Sequence, residues 1–243
     1  MLGAMRVLSW GAAPHEGRAM LRPDGQWQLR LPEDQTGWPA LLATLPAEIT
    51  TAVLALGEGH AATVLPSFGF AAVRTEQLWE VQIARVGPVI VSPSHTLASV
   101  TACDLARVAE LDNAVRAQIP GAERWLGSVS DLEESLTDDE FDPELYLVAV
   151  HQQTGSYDGL VRVWNRAPAP RLGCVGVRPE WRRTRLGPAL LGAIAHRLRR
   201  RGVTQLATET DITNRDSHSL AAHHGAVPRG RTVEWVLQTR TGR

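Results

Sequence analysis

The sequence predicts an α/β fold, a mixed sheet flanked by helices, and three observations carry that prediction. Residues 175–191 read as a short apolar strand, an arginine-rich turn and a helix that opens at a Gly187-Pro188 step. Upstream, residues 145–150 and 159–164 are short β-branched and aromatic runs joined through Thr154-Gly155, the pattern of a meander. Beyond the turn, Leu186, Leu190, Ile194 and Leu198 recur every fourth residue and lay one apolar stripe along a helix.

Composition narrows the field. At 243 residues the chain holds one large domain or two modest ones. With 44% hydrophobic and 21% charged residues it has the balance of an ordinary globular protein, not of a disordered tail. A net charge of −1 supplies no field towards nucleic acid or a membrane surface, so neither is expected as a partner. All 25 basic residues are arginine, which excludes self-acetylation on a lysine side chain. Cys103 and Cys174 stand far apart without ligand spacing, so neither a disulfide framework nor a metal is expected. No apolar run reaches membrane-spanning length and no signal-peptide pattern opens the chain, so the expected location is cytoplasmic.

Taken in order, residues 18–32 read as a hairpin turning at Pro23-Asp24-Gly25, 38–45 as a short helix and 50–56 as a strand. A helix over 61–68 and a strand over 77–83 follow. Gly69 and Gly225 are separated by the same offset as Trp79 and Trp235, and Ala61 and Val64 then fall opposite Ser217 and Leu220, a weak internal repeat. A linker at 87–95, with two prolines, divides residues 1–90 from 91–243. The second half begins with a helix over 99–117, apolar at Leu105, Val108, Leu111 and Val115. A further helix lies within 121–136, where Ser130 precedes the run Asp131-Leu132-Glu133-Glu134. The two meander strands, a strand at 172–177, the striped helix, and a strand and helix around 206–224 complete it. Arg197, Arg199, Arg200 and Arg201 crowd the end of the striped helix, where cations complement the helix dipole.

The turn between strand and helix carries the chemistry. A helix N-terminus presents unpaired N–H groups and the positive end of its dipole, which suits an anionic group such as phosphate. Arg182, Arg183 and Arg185 add three guanidinium groups, whose forks match phosphate oxygens. Pro188 loses nothing in the first helical turn, where its missing N–H has no partner to make. The competing reading is an exposed basic loop ahead of an amphipathic surface helix.

This stretch resembles motif A of the GNAT acetyltransferase superfamily: Arg or Gln, two residues, Gly, one residue, then Gly or Ala. Arg182 and Gly187 match its ends, and Arg185 stands where the family has its middle glycine. Downstream, Asn214, Ser217, Leu220 and Gly225-Ala226 fit the family's fifth strand and following helix. The resemblance spans residues 95–243. It implies a GNAT fold, a twisted and mostly antiparallel sheet flanked by helices, with residues 1–90 as a degenerate partial copy.

The resemblance further implies acetyl-CoA as co-substrate, with its pyrophosphate held at Arg182, Arg183, Thr184, Arg185, Leu186, Gly187 and Pro188. Backbone of Cys174, Val175, Gly176 and Val177 would hold the pantetheine arm and the thioester carbonyl, and Asn214 and Ser217 would lie beside that arm. In related aminoglycoside acetyltransferases a carboxylate at the place of Glu209 binds or deprotonates the amine; Asp211 lies two residues on, on the same side of an ideal strand. Glu209, Asp211 and Ser217 are therefore the candidate catalytic residues, with a turn or helix cap as the other reading of Asp211. Many members carry a tyrosine where this chain has Ala221.

The function implied is direct N-acetylation of a primary amine on a small molecule. Asp131, Glu133, Glu134, Asp138, Asp139, Glu140 and Asp142 offer an acidic mouth that would favour cationic amines. A protein or peptide acetyltransferase and a non-catalytic CoA-binding protein remain as rivals, and monomer and homodimer both stay open.

Overall fold

A computed structural model describes residues 6–22, 24–59, 63–88, 90–122 and 124–237. The chain divides into two compact units, residues 1–76 with 230–243, and residues 77–229.

In the first unit β1 (Val7–Ala12), β2 (His15–Leu21) and β3 (Trp27–Arg30) run antiparallel in sequence order. Then β4 (Ala52–Gly57) joins β3 in parallel. The β2–β3 turn closes through Arg22 N–H to Gln26 O (2.8 Å) with Gly25 at φ 78°; Pro23 lies outside the described residues. The short helix α1 (Trp38–Ala43) follows a 3-10 turn at Gln35–Gly37. Trp10, Trp27, Trp38, Leu54, Leu65 and Phe70 fill the core. The helix expected over 61–68 is a 3-10 turn, Leu65–Phe68, and His60, Ala61 and Ala62 lie outside the described residues.

Each unit draws one strand from the other half of the sequence. Residues 232–237 of β11 (Val227–Leu237) pair antiparallel with β4, burying Trp235 in the first core. Residues 77–82 of β5 (Phe70–Gln82) belong to the second unit, where β5 neighbours β10 (Gln205–Asp211) and Trp79 Nε1 donates to Thr210 Oγ1 at 2.8 Å. The repeat thus has a structural counterpart: Gly69 and Gly225 both adopt positive φ (86° and 63°) directly before these exchanged strands.

The second unit orders its strands β5-β10-β9-β8-β7-β6. Here β6 (His95–Ser99), β7 (Tyr146–His151), β8 (Tyr157–Trp164) and β9 (Arg171–Val177) form an antiparallel meander. Residues 95–99 were expected as the end of a linker and the start of a helix; they form β6 because all five pair with β7. Helix α2 (Leu105–Arg116) is accordingly shorter than expected and starts at Asp104, whose carboxylate accepts the N–H groups of Ala106 and Arg107. In α3 (Val129–Ser135) the cap is Ser128, in a reciprocal box with Asp131.

Both helices cover one face of the sheet, over Tyr146, Leu160 and Cys174. Helix α4 (Leu186–Arg200) covers the other, and the four stripe residues Leu186, Leu190, Ile194 and Leu198 are at most 4% exposed. Helix α5 (Arg215–His223) packs Leu220 on that second face too. No helix among the described residues is long and apolar enough to cross a membrane.

Candidate active site

The sheet of the second unit is open at one place. Strands β9 and β10 run parallel but pair only at Ala207–Arg171 and Thr208–Leu172, while β9 continues to Val177 against β8 and β10 continues to Asp211. Arg178 N–H donates to Asp158 O of β8 at 2.8 Å, so strand alternation turns the N–H and C=O groups of Val177 and Val175 away from β8, into the gap. Cys174 and Gly176 turn theirs the other way, to β8. Of the four strand residues proposed from sequence, 175 and 177 are the two whose backbone can meet a ligand in the opening.

At the end of β9 the chain makes a 3-10 turn, Pro179–Trp181, and α4 begins. Arg183 takes φ 59°, the one non-glycine residue with positive φ among those described. Such a conformation costs on the order of 1–3 kcal/mol and gathers at functional loops. Arg185, which replaces the family's glycine, sits at φ −84°, ψ 6°, a region open to any residue, so the substitution needs no strain. Thr184 is a turn-former: its Oγ1 donates to Trp181 O (2.6 Å) and accepts Leu186 N–H (3.2 Å). Leu186 buries its side chain in the core, leaving only backbone to a ligand.

The start of α4 is electrostatically vacant. Arg185, its N-cap, makes no side-chain capping bond, and no acidic residue lies in the first turn. Arg182, Arg183 and Arg185 are exposed, and among the described residues none has an ion-pair or side-chain hydrogen-bond partner. A Cβ built at Gly187 would meet nothing within 4 Å. Three unneutralised guanidiniums around an uncapped helix start, beside open space, fit a polyanionic group such as a pyrophosphate.

Glu209 is the first β10 residue past the paired segment, hence at the root of the opening, and its carboxylate forms an ion pair with Arg171. Asp211 is buried and its Oδ1 accepts Thr213 N–H at 2.7 Å, a turn cap. Asn214 caps α5 by accepting Ser217 N–H at 3.1 Å. Glu209 and Asp211 thus do not form a free carboxylate pair.

Residues 114–226 match the Acetyltransferase (GNAT) family. The chain carries a GNAT acetyltransferase domain. Its fold is shared with a GCN5-related N-acetyltransferase from Sphaerobacter thermophilus (TM-score 0.65, 21% identity, 93% of this chain and 77% of that one). It is shared equally with a tandem GNAT protein from the clavulanic acid biosynthesis pathway (TM-score 0.68, 18% identity, 97% and 84%). A GCN5-related N-acetyltransferase from Kribbella flavida is similar over 98% of this chain and 90% of its own (TM-score 0.65, 17% identity). No curated protein matches by sequence. The matched GNAT domain implies an acyltransferase that draws its acyl group from CoA. Among the described residues no cluster of three or more His, Cys, Asp or Glu is arranged for a metal ion.

Two features of the GNAT domain escaped sequence reasoning. The first braces the loop. His95 Nε2 meets Asp158 Oδ2 at 3.0 Å in a fully buried pair, and the His95 ring lies edge-on to Trp181 with centroids 4.5 Å apart. Trp181 is also beside His151, and a cavity of about 430 Å³ opens there, lined by Arg107, Glu110, Tyr157, Arg178 and Glu180 among others. The residues just before Arg182 are therefore fixed from the meander. No signal in the sequence joins positions 95, 158 and 181.

The second is a polar cluster on the α2 face. Arg116 Nε meets Asp112 Oδ2 at 2.6 Å and its guanidinium lies over Trp125. Arg162 lies 3.7 Å from the Trp164 ring centroid and 5.1 Å from that of Tyr146. Burial, then the Asp112 charge, pushes the Tyr146 hydroxyl well above the usual phenol range. Burial also pushes the Cys174 thiol up to about 11, so it is a small core group and not a nucleophile at neutral pH. Cys174 was assigned to the strand's backbone grip; its side chain lies in the α2-face core with Tyr146. Tyr146 packs in this core at 1% exposure, but its hydroxyl lacks a hydrogen-bond partner.

Three of the seven acidic residues have partners within the fold: Asp131 serves the α3 cap, Glu140 pairs with Arg166 and Asp142 with Arg201.

Proposed function

We propose that the protein is an acetyl-CoA-dependent N-acetyltransferase acting on a primary amine of a small molecule, in a cytoplasmic setting. The observation that carries this reading is the coincidence of an open strand pair with three unpaired arginines at an uncapped helix start. When bound, acetyl-CoA supplies a thioester activated for acyl transfer. Arg182, Arg183, Arg185 and the N–H groups at the start of α4, Gly187 included, hold its pyrophosphate; Val175 and Val177 donate backbone hydrogen bonds inside the opening, one of them towards the carbonyl oxygen as charge develops there. Asn214 and Ser217 close the far side.

The amine nitrogen forms the new C–N bond as the C–S bond breaks, so no covalent enzyme intermediate is needed. Glu209 takes up the proton that the amine releases, directly or through a water. Its ion pair with Arg171 holds the carboxylate at the root of the opening. Asp211 shapes the turn. With Ala221 in place of tyrosine, the leaving thiolate takes its proton from water.

A colorimetric measurement of CoA thiol release across a panel of primary amines tests the reading. Release with at least one amine supports it. Tight acetyl-CoA binding without release from any amine would make the protein a CoA-binding module and not an enzyme.

A further inference from the structure

The α2 face of β9 holds a set of buried polar atoms that this chain does not satisfy. Arg162 is 7% exposed, yet it forms no ion pair among the described residues; Asp112 and Asp138 act on it only from a distance. Its Nη2 donates one long bond to Ser135 O (3.3 Å), and its Nε is buried without a partner. The hydroxyl of Tyr146 and Oδ1 of Asp112 are likewise buried and unpartnered. A buried guanidinium without a counter-charge is costly, and stacking on Trp164 offsets only part of that.

The inventory of missing partners describes a ligand. Arg162 Nε–H and Tyr146 O–H are donors that lack an acceptor, and Asp112 Oδ1 is an acceptor that lacks a donor. Two donors beside one cation call for an anion with two lone-pair directions, the shape of a carboxylate. A dianionic phosphate would be repelled by Asp112, whereas the N–H of an amine would satisfy it. Burial grades from Tyr146, Arg162 and Cys174 on the floor to Asp112, Arg116, Arg171 and Glu209 at the partly exposed rim. Cys174 precedes Val175, whose backbone faces the opening, so the cluster adjoins the place where acyl transfer would occur.

We propose that Arg162, Tyr146 and Asp112 bind the acceptor, and that the acceptor is an amine carrying a carboxylate, an amino acid or a close derivative of one. This rests on the acetyltransferase reading above and replaces the cationic acceptor that the acidic residues suggested. The carboxylate is received by Arg162 and Tyr146, and the amine is held by Asp112 towards Val175. The reaction is the transfer already written: C–N forms, C–S breaks, and the amine's proton passes to Glu209 or water.

The test titrates the standard amino acids, their amides and their decarboxylated amines into the CoA-bound protein by calorimetry, with thiol release followed in parallel. The expected result is one or more amino acids favoured over their own amide and decarboxylated amine by at least about tenfold. Arg162→Gln should abolish that preference while leaving acetyl-CoA affinity unchanged. If that variant does not fold, Tyr146→Phe, which removes only the hydroxyl, should reduce it. Equal or better binding of the amides or decarboxylated amines would overturn the proposal, as would binding of acetyl-CoA with no amino acid bound. Should acetyl-CoA itself fail to bind, the acetyltransferase reading falls separately. The cluster is then judged by the same titration without CoA, where carboxylate-dependent binding upholds it and none overturns it.

Discussion

Gly176 of β9 lies against Val115 of α2 so closely that a Cβ at position 176 would stand 2.3 Å from Val115 Cγ1. No side chain fits there, and the glycine sets how near α2 comes to the strand that flanks the opening. Gly176→Ala must push the helix or the strand aside, a change expected to cost roughly 1–3 kcal/mol. Urea unfolding checks the stability, and the KM for acetyl-CoA should rise because Val175 and Val177 move with the strand. Wild-type stability in the variant would mean that α2 sits more loosely than described.

The His95–Asp158 pair should matter for the loop beyond its stability contribution. Leaving one partner of a buried hydrogen bond unsatisfied costs about 1–3 kcal/mol. Asp158→Asn, which keeps a hydrogen-bonding group for His95, should retain more of the fold than Asp158→Ala. Both should weaken acetyl-CoA binding through Trp181. Unchanged cofactor affinity in a folded Asp158→Asn protein would show that Trp181 does not position the arginines.

Much of the second unit was legible because its signals are local. The stripe of α4, the Thr154-Gly155 turn and the arginine loop each lie within a few residues, where periodicity and turn chemistry act directly. Short β6 was misread because two prolines and a polar run mask five residues whose strand state comes from pairing with β7. The exchange of β5 and β11 depends on pairing across the whole chain, and no local pattern announces it. For the same reason the phosphate loop could be read from sequence while Arg162, Tyr146 and Asp112 could not. They come from three elements and meet only once the sheet is formed.

Glu209→Gln should lower kcat by roughly 10²-fold, the usual contribution of a positioned base. Its effect on the KM for acetyl-CoA should be small, since Glu209 faces the acceptor side with Arg171. A kcat within twofold of the wild type, measured over a full pH profile, would remove Glu209 from proton transfer.

Cys174 should carry no acetyl group at any stage of turnover. Its thiol, pushed up to about 11 by burial, is almost wholly protonated at neutral pH. Mass spectrometry of protein quenched during turnover should show no acetylated cysteine. An acetyl group at Cys174 would replace direct transfer with a two-step route.

Stability should fall as the solution is made acidic, partly through His224. Burial, and then the charge of His223, pull the His224 imidazole below its usual value, and its Nε2 lacks a hydrogen-bond partner. The unfolded chain then takes up the proton first, so the contribution of neutral His224 is complete above about pH 6.5 and declines below it. The drop in Tm between neutral and mildly acidic pH should be smaller in His224→Leu than in the wild type. An equal drop would assign the acid sensitivity elsewhere.

The central claim is that the open helix start beside β9 binds acetyl-CoA, and thermal unfolding with and without that ligand tests it most directly. At about a hundred times its Kd, acetyl-CoA should stabilise the wild type by roughly 2.7 kcal/mol, a plain rise in Tm. The combined Arg182→Ala, Arg183→Ala, Arg185→Ala variant should unfold at nearly the wild-type temperature alone and gain little or nothing from the ligand. A wild-type protein that acetyl-CoA does not stabilise, or a triple variant stabilised as much as the parent, would contradict the account.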